Sequence, residues 1–105
     1  MEPDVFAAIS DPTRRQLIGW LAVRPATATE LATRLPITRQ AVIKHLGVLD
    51  DARLVAKERA GREVRYRLEG DRLAGASQWL AVVSARWEAR LERLKRHLEE
   101  GERHV

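Results

Sequence analysis

Gln40 and Lys44 stand one helical turn apart in the run Thr38-Arg39-Gln40-Ala41-Val42-Ile43-Lys44-His45-Leu46-Gly47-Val48-Leu49. A Gln carboxamide matches the edge of adenine in the major groove of DNA, and a Lys ammonium matches that of guanine, so the pair has the chemistry of a base reader. Thr38 and Arg39 at the head of the run suit a phosphate or an adjacent base. Ile43 offers the apolar contact that a thymine methyl accepts. Farther along, Arg59, Arg62 and Arg65 crowd three permanent cations into a short stretch, a pattern suited to gripping phosphates or entering a minor groove.

Those side chains need elements to hold them. Read as a helix, the first run puts Val42, Leu46 and Leu49 on one side at i, i+4 and i+7, with Ala41, His45 and Val48 along the border. Arg39, Gln40, Ile43, Lys44 and Gly47 then face outward, and Thr38 caps the start. An ordinary solvated helix has the same amphipathicity, so this stripe alone does not decide the reading. Upstream, Thr27-Ala28-Thr29-Glu30 reads as a capping box opening a helix to about Leu35, anchored by Leu31 and Leu35 and broken by Pro36. Two short helices with about three residues between them make a helix-turn-helix over residues 27–50.

Residues 4–24 precede it as two helices. The first is short, with Val5, Phe6 and Ile9 on one side. The second is capped by Asp11, led by Pro12, striped by Leu17, Ile18 and Leu21 and stopped near Arg24 by Pro25. Trp20 borders that stripe, and Arg14 and Arg15 are expected to point into solvent. After Asp51 the period changes to two. Glu63-Val64-Arg65-Tyr66-Arg67-Leu68 alternates strictly, and with Leu54–Arg59 it predicts a hairpin over residues 53–68 turning at Gly61. A lone hairpin is unstable in water, so its Val64/Tyr66/Leu68 face must pack on the helices.

Charge is concentrated in that hairpin. The chain of 105 residues has a net charge of +4, from 19 Lys and Arg against 15 Asp and Glu. Residues 1–52 and 68–105 each balance to zero, so the entire excess lies in residues 53–67, which points to a polyanionic partner. No cysteine is present, which excludes disulfides, zinc–thiolate sites and thiol redox sensing. No apolar run spans a bilayer and no signal peptide opens the chain, so a cytoplasmic location without membrane association is expected. Ser10, Ser77 and Ser84 lie in no nucleophile-elbow setting, and there is no Gly-rich phosphate loop, so no catalytic residues are assigned and no enzyme is expected.

The last predicted helix, residues 71–99, carries Leu73, Ala76, Leu80, Val83, Trp87, Leu91, Leu94 and Leu98 in a nearly regular heptad seam. A rod of roughly 42 Å is longer than so small a domain can cover. The seam therefore predicts a homodimer whose interface holds Leu73, Leu80, Val83, Trp87, Leu91 and Leu94, joined by Val5 and Phe6. Trp79 and Val82 flank it, and Gly75 is a weak point. The bland alternative folds the helix back on its own core. Residues 100–105 read as a frayed tail. The fold class is mainly α with a small β-hairpin: one domain, residues 1–105, a winged helix-turn-helix with a long C-terminal dimerisation helix.

Asp11-Pro12-Thr13-Arg14-Arg15-Gln16-Leu17-Ile18, Glu30-Leu31-Ala32, Gln40–Leu49, Leu54-Val55 and Gly61-Arg62…Tyr66-Arg67-Leu68, taken together, resemble the ArsR family of bacterial winged-helix repressors over residues 5–68. The resemblance implies a dimeric, operator-binding repressor of double-stranded DNA targets, often of its own operon. Family members commonly carry serine where this chain has Ile43. The metal-sensing members use cysteines in the helix before the recognition helix, here Glu30-Leu31-Ala32-Thr33-Arg34-Leu35, or Asp/His/Glu ligands in the last helix. Asp71 is followed here by Arg72-Leu73, and His97 with Glu100 makes a poor pair, so the chain resembles the metal-free members and no metal or cofactor is assigned. The sequence names no small-molecule inducer. The main rival to an operator-binding repressor is a winged-helix adaptor that binds protein without DNA.

Overall fold

Side-chain caps and prolines set the helix limits. The structure, a computed structural model, describes residues 5–103, so Asp4, the predicted start of the first helix, lies outside them. In order, the elements are α1 (Val5–Ala8), α2 (Pro12–Val23), β1 (Ala26–Thr27), α3 (Ala28–Ala32), α4 (Arg39–Asp51), β2 (Val55–Ala60), β3 (Glu63–Leu68) and α5 (Gly70–Arg103). Asp11 caps α2 by accepting the Arg14 N–H at 3.0 Å, and Pro12 occupies the first turn. Arg24, forced into extended backbone before Pro25, ends it. Thr27 and Glu30 form the reciprocal capping box of α3, and Thr38 caps α4 by accepting the Ala41 N–H at 3.1 Å.

Three local features depart from the sequence expectation. α3 stops at Ala32 rather than near Leu35. Thr33 turns its hydroxyl onto the Glu30 carbonyl at 2.7 Å, and i→i−3 bonds from Thr33 and Arg34 tighten the last turn, so six residues separate α3 from α4. Ala26 and Thr27 form a short strand paired with β3, which makes a three-stranded antiparallel sheet in the order β1-β3-β2. Two-residue strands leave no period to read. α4 ends without a glycine: Arg53 adopts φ +59°, and Arg53 N–H to Asp50 O with Leu54 N–H to Leu49 O, both 2.9 Å, complete a Schellman-type stop. That stop turns Leu54 back onto Leu49, and both side chains are fully buried.

The core lies where α2, α3 and α4 meet the sheet. Leu17, Val42, Leu46, Leu49 and Leu54 are fully buried, with Leu21, Leu31, Val55 and Tyr66 closing round them. Each buried leucine contributes about 1.5–3 kcal/mol. Tyr66 is the buried member of the inward β3 face, flanked by half-buried Val64 and Leu68, so the hairpin is held by the core it helps cover. Arg34 stacks over the Trp20 ring at 5.3 Å, sealing the outer edge of α2.

Residues up to Ala74 form one compact unit, and the chain from Gly75 onward forms a second that consists of α5 alone. α5 runs through Gly75 and on to Arg103, into the tail expected to fray, of which His104 and Val105 lie outside the described residues. At 1.5 Å per residue its 34 residues measure about 51 Å. Leu73, on the first turns, packs against the core. Leu80, Val83, Trp87, Leu91, Leu94 and Leu98 are all exposed, between 40% and 60%. None of the described helices is long and apolar enough to cross a membrane.

Candidate nucleic-acid interface

The face of α4 is a by-product of how α4 is pinned. Val42, Leu46 and Leu49 are wholly buried, and that fixes the rotation of the helix. Arg39, Gln40, Ile43, Lys44 and Gly47 are then exposed, as is Thr38 at the cap. Two long donors and an apolar side chain thus share one ridge of a narrow helix, with the small Gly47 a turn beyond.

The wing is organised by its ladder. β2 and β3 pair from Val55↔Leu68 to Ala60↔Glu63, closed by the two-residue turn Gly61-Arg62. Gly61 sits at φ +65°, a conformation that strains any residue with a Cβ, so glycine is what makes the turn this tight. Of the wing cations, Lys57 is paired with Asp50 at 3.3 Å and Arg67 with Glu69 at 3.2 Å. Arg59, Arg62 and Arg65 are exposed and form no salt bridge among the described residues. The charge excess seen in the sequence is therefore partly neutralised at the base of the hairpin and left open toward its tip.

Between α4 and the wing lies an open cleft of about 230 Å³, whose walls include Thr27, Ala28, Arg39, Ile43, Arg62 and Tyr66. At its edge Arg39 donates its Nε–H to Thr29 Oγ at 3.0 Å, and Thr29 donates to Glu63 Oε1 at 2.9 Å. With Nε committed, the remaining N–H groups of Arg39 are what it can offer a phosphate. Glu30 is spoken for as well: the Thr27 backbone N–H foremost, then its hydroxyl, holds the Glu30 carboxyl below the usual range, against the opposing effect of burial.

Behind the exposed face of α4, Arg14 is half-buried rather than turned into solvent as expected, while Arg15 is exposed as expected but hydrogen-bonded to backbone. Arg14 donates Nε–H to Ala8 O at 2.6 Å and a terminal N–H to Ala7 O at 3.3 Å, and Arg15 reaches Ile9 O and Ser10 O, each at 3.1 Å. The two arginines satisfy the Ala8, Ile9 and Ser10 carbonyls at the end of α1 and in the following bend, because a four-residue helix satisfies almost none of its own, and Arg14 adds a further donor to Ala7 O. Arg14 also lies 3.4 Å from His45 Nδ1, and Asp11 Oδ2 lies 3.9 Å from the same nitrogen. The ring of His45 thus meets the start of α2, on the inner border of α4. Neither Thr29 nor this Arg14 linkage was visible in the pattern of residue types, since each joins elements distant in sequence.

Of the residues expected at a dimer contact, Val5 is half-buried against the core and Phe6 is 38% exposed. No group of three or more His, Cys, Asp or Glu side chains among the described residues is placed to hold a metal ion. Ser10 donates its hydroxyl to Ala7 O at 2.7 Å, a bond within the bend after α1.

Known proteins share this arrangement. Residues 9–58 match the family described as "Helix-turn-helix domain". The chain is 32% identical over 77 residues to the transcriptional repressor SdpR of Bacillus subtilis, which spans 73% of this chain and 86% of that protein. It is 44% identical over 73 residues to the HTH-type transcriptional regulator Rv2034 of Mycobacterium tuberculosis, 69% of this chain and 68% of that one. Among solved structures, an ArsR-like transcriptional regulator from Rhodococcus sp. RHA1 superposes with a TM-score of 0.69 at 42% identity, covering 88% of this chain and 87% of the other. With its buried-stripe recognition helix, arginine-tipped hairpin and these relatives, the chain belongs to the ArsR family of winged helix-turn-helix proteins and is a DNA-binding transcriptional regulator.

Proposed function

We propose that the chain acts as a homodimeric repressor that binds an inverted-repeat operator, its own promoter among the targets. Gln40 and Lys44 read base edges, Ile43 touches a thymine methyl, and Thr38 and Arg39 hold the adjacent backbone. Arg59, Arg62 and Arg65 grip phosphates or enter the minor groove from the wing. The observation that carries this reading is the exposure of Gln40, Ile43 and Lys44 on the face of α4 opposite three fully buried anchors.

A second copy is the natural cover for the exposed row Leu80, Val83, Trp87, Leu91, Leu94 and Leu98, because an apolar stripe of that length left in water is unfavourable. Two-fold pairing puts the two recognition helices about 34 Å apart, one turn of B-DNA, and so predicts symmetric half-sites. Repression follows from the dimer excluding polymerase, in the cytoplasm, with no metal or cofactor required for the DNA contacts named. That SdpR is a transcriptional repressor supports the sign of regulation.

Footprinting the purified chain on the DNA upstream of its own gene tests the proposal. Two protected half-sites about one helical turn apart are expected. Protection of a single half-site, or none on any promoter fragment, would refute it. The adaptor reading predicts light scattering from a monomer that is unchanged by DNA.

A further inference from the structure

Three elements of the interface converge on one hydroxyl. Thr29, on the first turn of α3, accepts the Nε–H of Arg39 at 3.0 Å and donates to Glu63 Oε1 at 2.9 Å. Arg39 is the first residue of α4, and Glu63 is the first residue of β3, next to the turn that carries Arg62. We propose that Thr29 is a positioning residue that fixes the stance of the wing against the recognition helix, and that discrimination between operator and other DNA depends on its hydroxyl. The second half rests on the operator-binding reading above; the first does not.

The sheet explains why such a tie matters. β1 holds β3 only at Ala26↔Tyr66 and Thr27↔Arg65. Beyond Arg65 the wing is a two-stranded ribbon, which is marginal in water by itself. The Thr29–Glu63 bond extends the anchorage of β3 by two residues toward the tip, to the strand's outermost position. The Arg39 bond then refers that anchor to the start of α4, so the arginine tip and the base-reading ridge share one reference point.

The chemistry is specific to a hydroxyl. Its single oxygen accepts from a guanidinium on one side and donates to a carboxylate on the other, which the methyl of valine cannot do. It also gives Glu63 a use. A carboxylate at the rim of a cleft meant for DNA repels phosphate, and here that carboxylate is turned toward Thr29. Exposed hydrogen bonds are weak in water. DNA lying across the cleft between α4 and the wing excludes that water, so the two bonds strengthen when the complex forms.

Three forms of the full chain decide the matter: native, Thr29→Val and Thr29→Ser. Each is titrated on the footprinted promoter fragment and on a random-sequence duplex of equal length. The order parameters of the Gly61 and Arg62 amides are measured by ¹⁵N relaxation without DNA, together with thermal stability. Thr29→Val should weaken promoter binding about tenfold, the effect of losing both bonds. It should leave random-duplex binding within about twofold, because that binding is set by phosphate charge. It should also lower the two order parameters, and Thr29→Ser should restore both readouts. The proposal is overturned if Thr29→Val keeps native discrimination and wing order, or if Thr29→Ser rescues neither. It is equally overturned if Thr29→Val loses both duplexes alike along with thermal stability, which would mark a folding role only. Should the native chain prefer neither duplex, the operator reading fails while the order parameters still decide whether Thr29 holds the wing.

Discussion

Asp11 joins stability to the recognition helix at the scale of one carboxylate. The Arg14 backbone N–H it accepts as N-cap is the main cause that lowers its pKa, with the His45 and Arg14 charges adding to the effect and partial burial opposing it. A carboxyl whose folded pKa lies below its unfolded value stabilises the fold above the ordinary carboxylate range, and that contribution disappears as pH falls through the folded pKa. Asp11→Ala should therefore lower the melting temperature at neutral pH, with the deficit shrinking as the solution is acidified. Asp11→Asn, an equally good cap, should stay near native at neutral pH and lose less on acidification. Melting curves over a pH series check both. A deficit for Asp11→Ala that is the same at every pH would show that the charge is irrelevant.

Among the elements, the wing gives the sharpest prediction. Arg62 occupies the turn itself, exposed and beside Gly61, so a phosphate contact from it carries little sequence information. Arg62→Ala should weaken binding to all duplexes about equally and reduce the slope of log affinity against log salt by about 1, as measured by titration at several salt concentrations. An unchanged slope would take Arg62 out of the interface. Elements are also where the sequence is most and least legible. The α4 stripe of Val42, Leu46 and Leu49, the Thr27 and Thr38 caps, the Pro25 stop and the Gly61 turn are all written in local residue types and sit where those types demand. β1 is too short to show a period, the stop of α4 uses Arg53 where a glycine would have been the signal, and the early end of α3 depends on where the Thr33 hydroxyl turns. The contact that brings Arg39, Thr29 and Glu63 together depends on the sheet register, which no local pattern encodes.

At the scale of the molecule, the question is what covers the apolar row of α5. If a second copy does, Leu91→Glu places a charge in the middle of the seam. Light scattering should then fall from twice the 11.9 kDa chain mass to that mass alone. Promoter affinity should drop by about two orders of magnitude as the second half-site contact is lost. Leu91 is exposed and lies in the unit separate from residues 1–74, so the winged-helix core should melt as the native chain does. A variant that remains dimeric would place the interface elsewhere.

One guanidinium, that of Arg14, fastens the closing carbonyls of α1 while lying beside a histidine on the inner border of α4. Ala7 and Ala8 are thereby tethered to α4. A bound neighbour that pulls on Ala7 or Ala8 is therefore expected to loosen the backing of α4 from a distance.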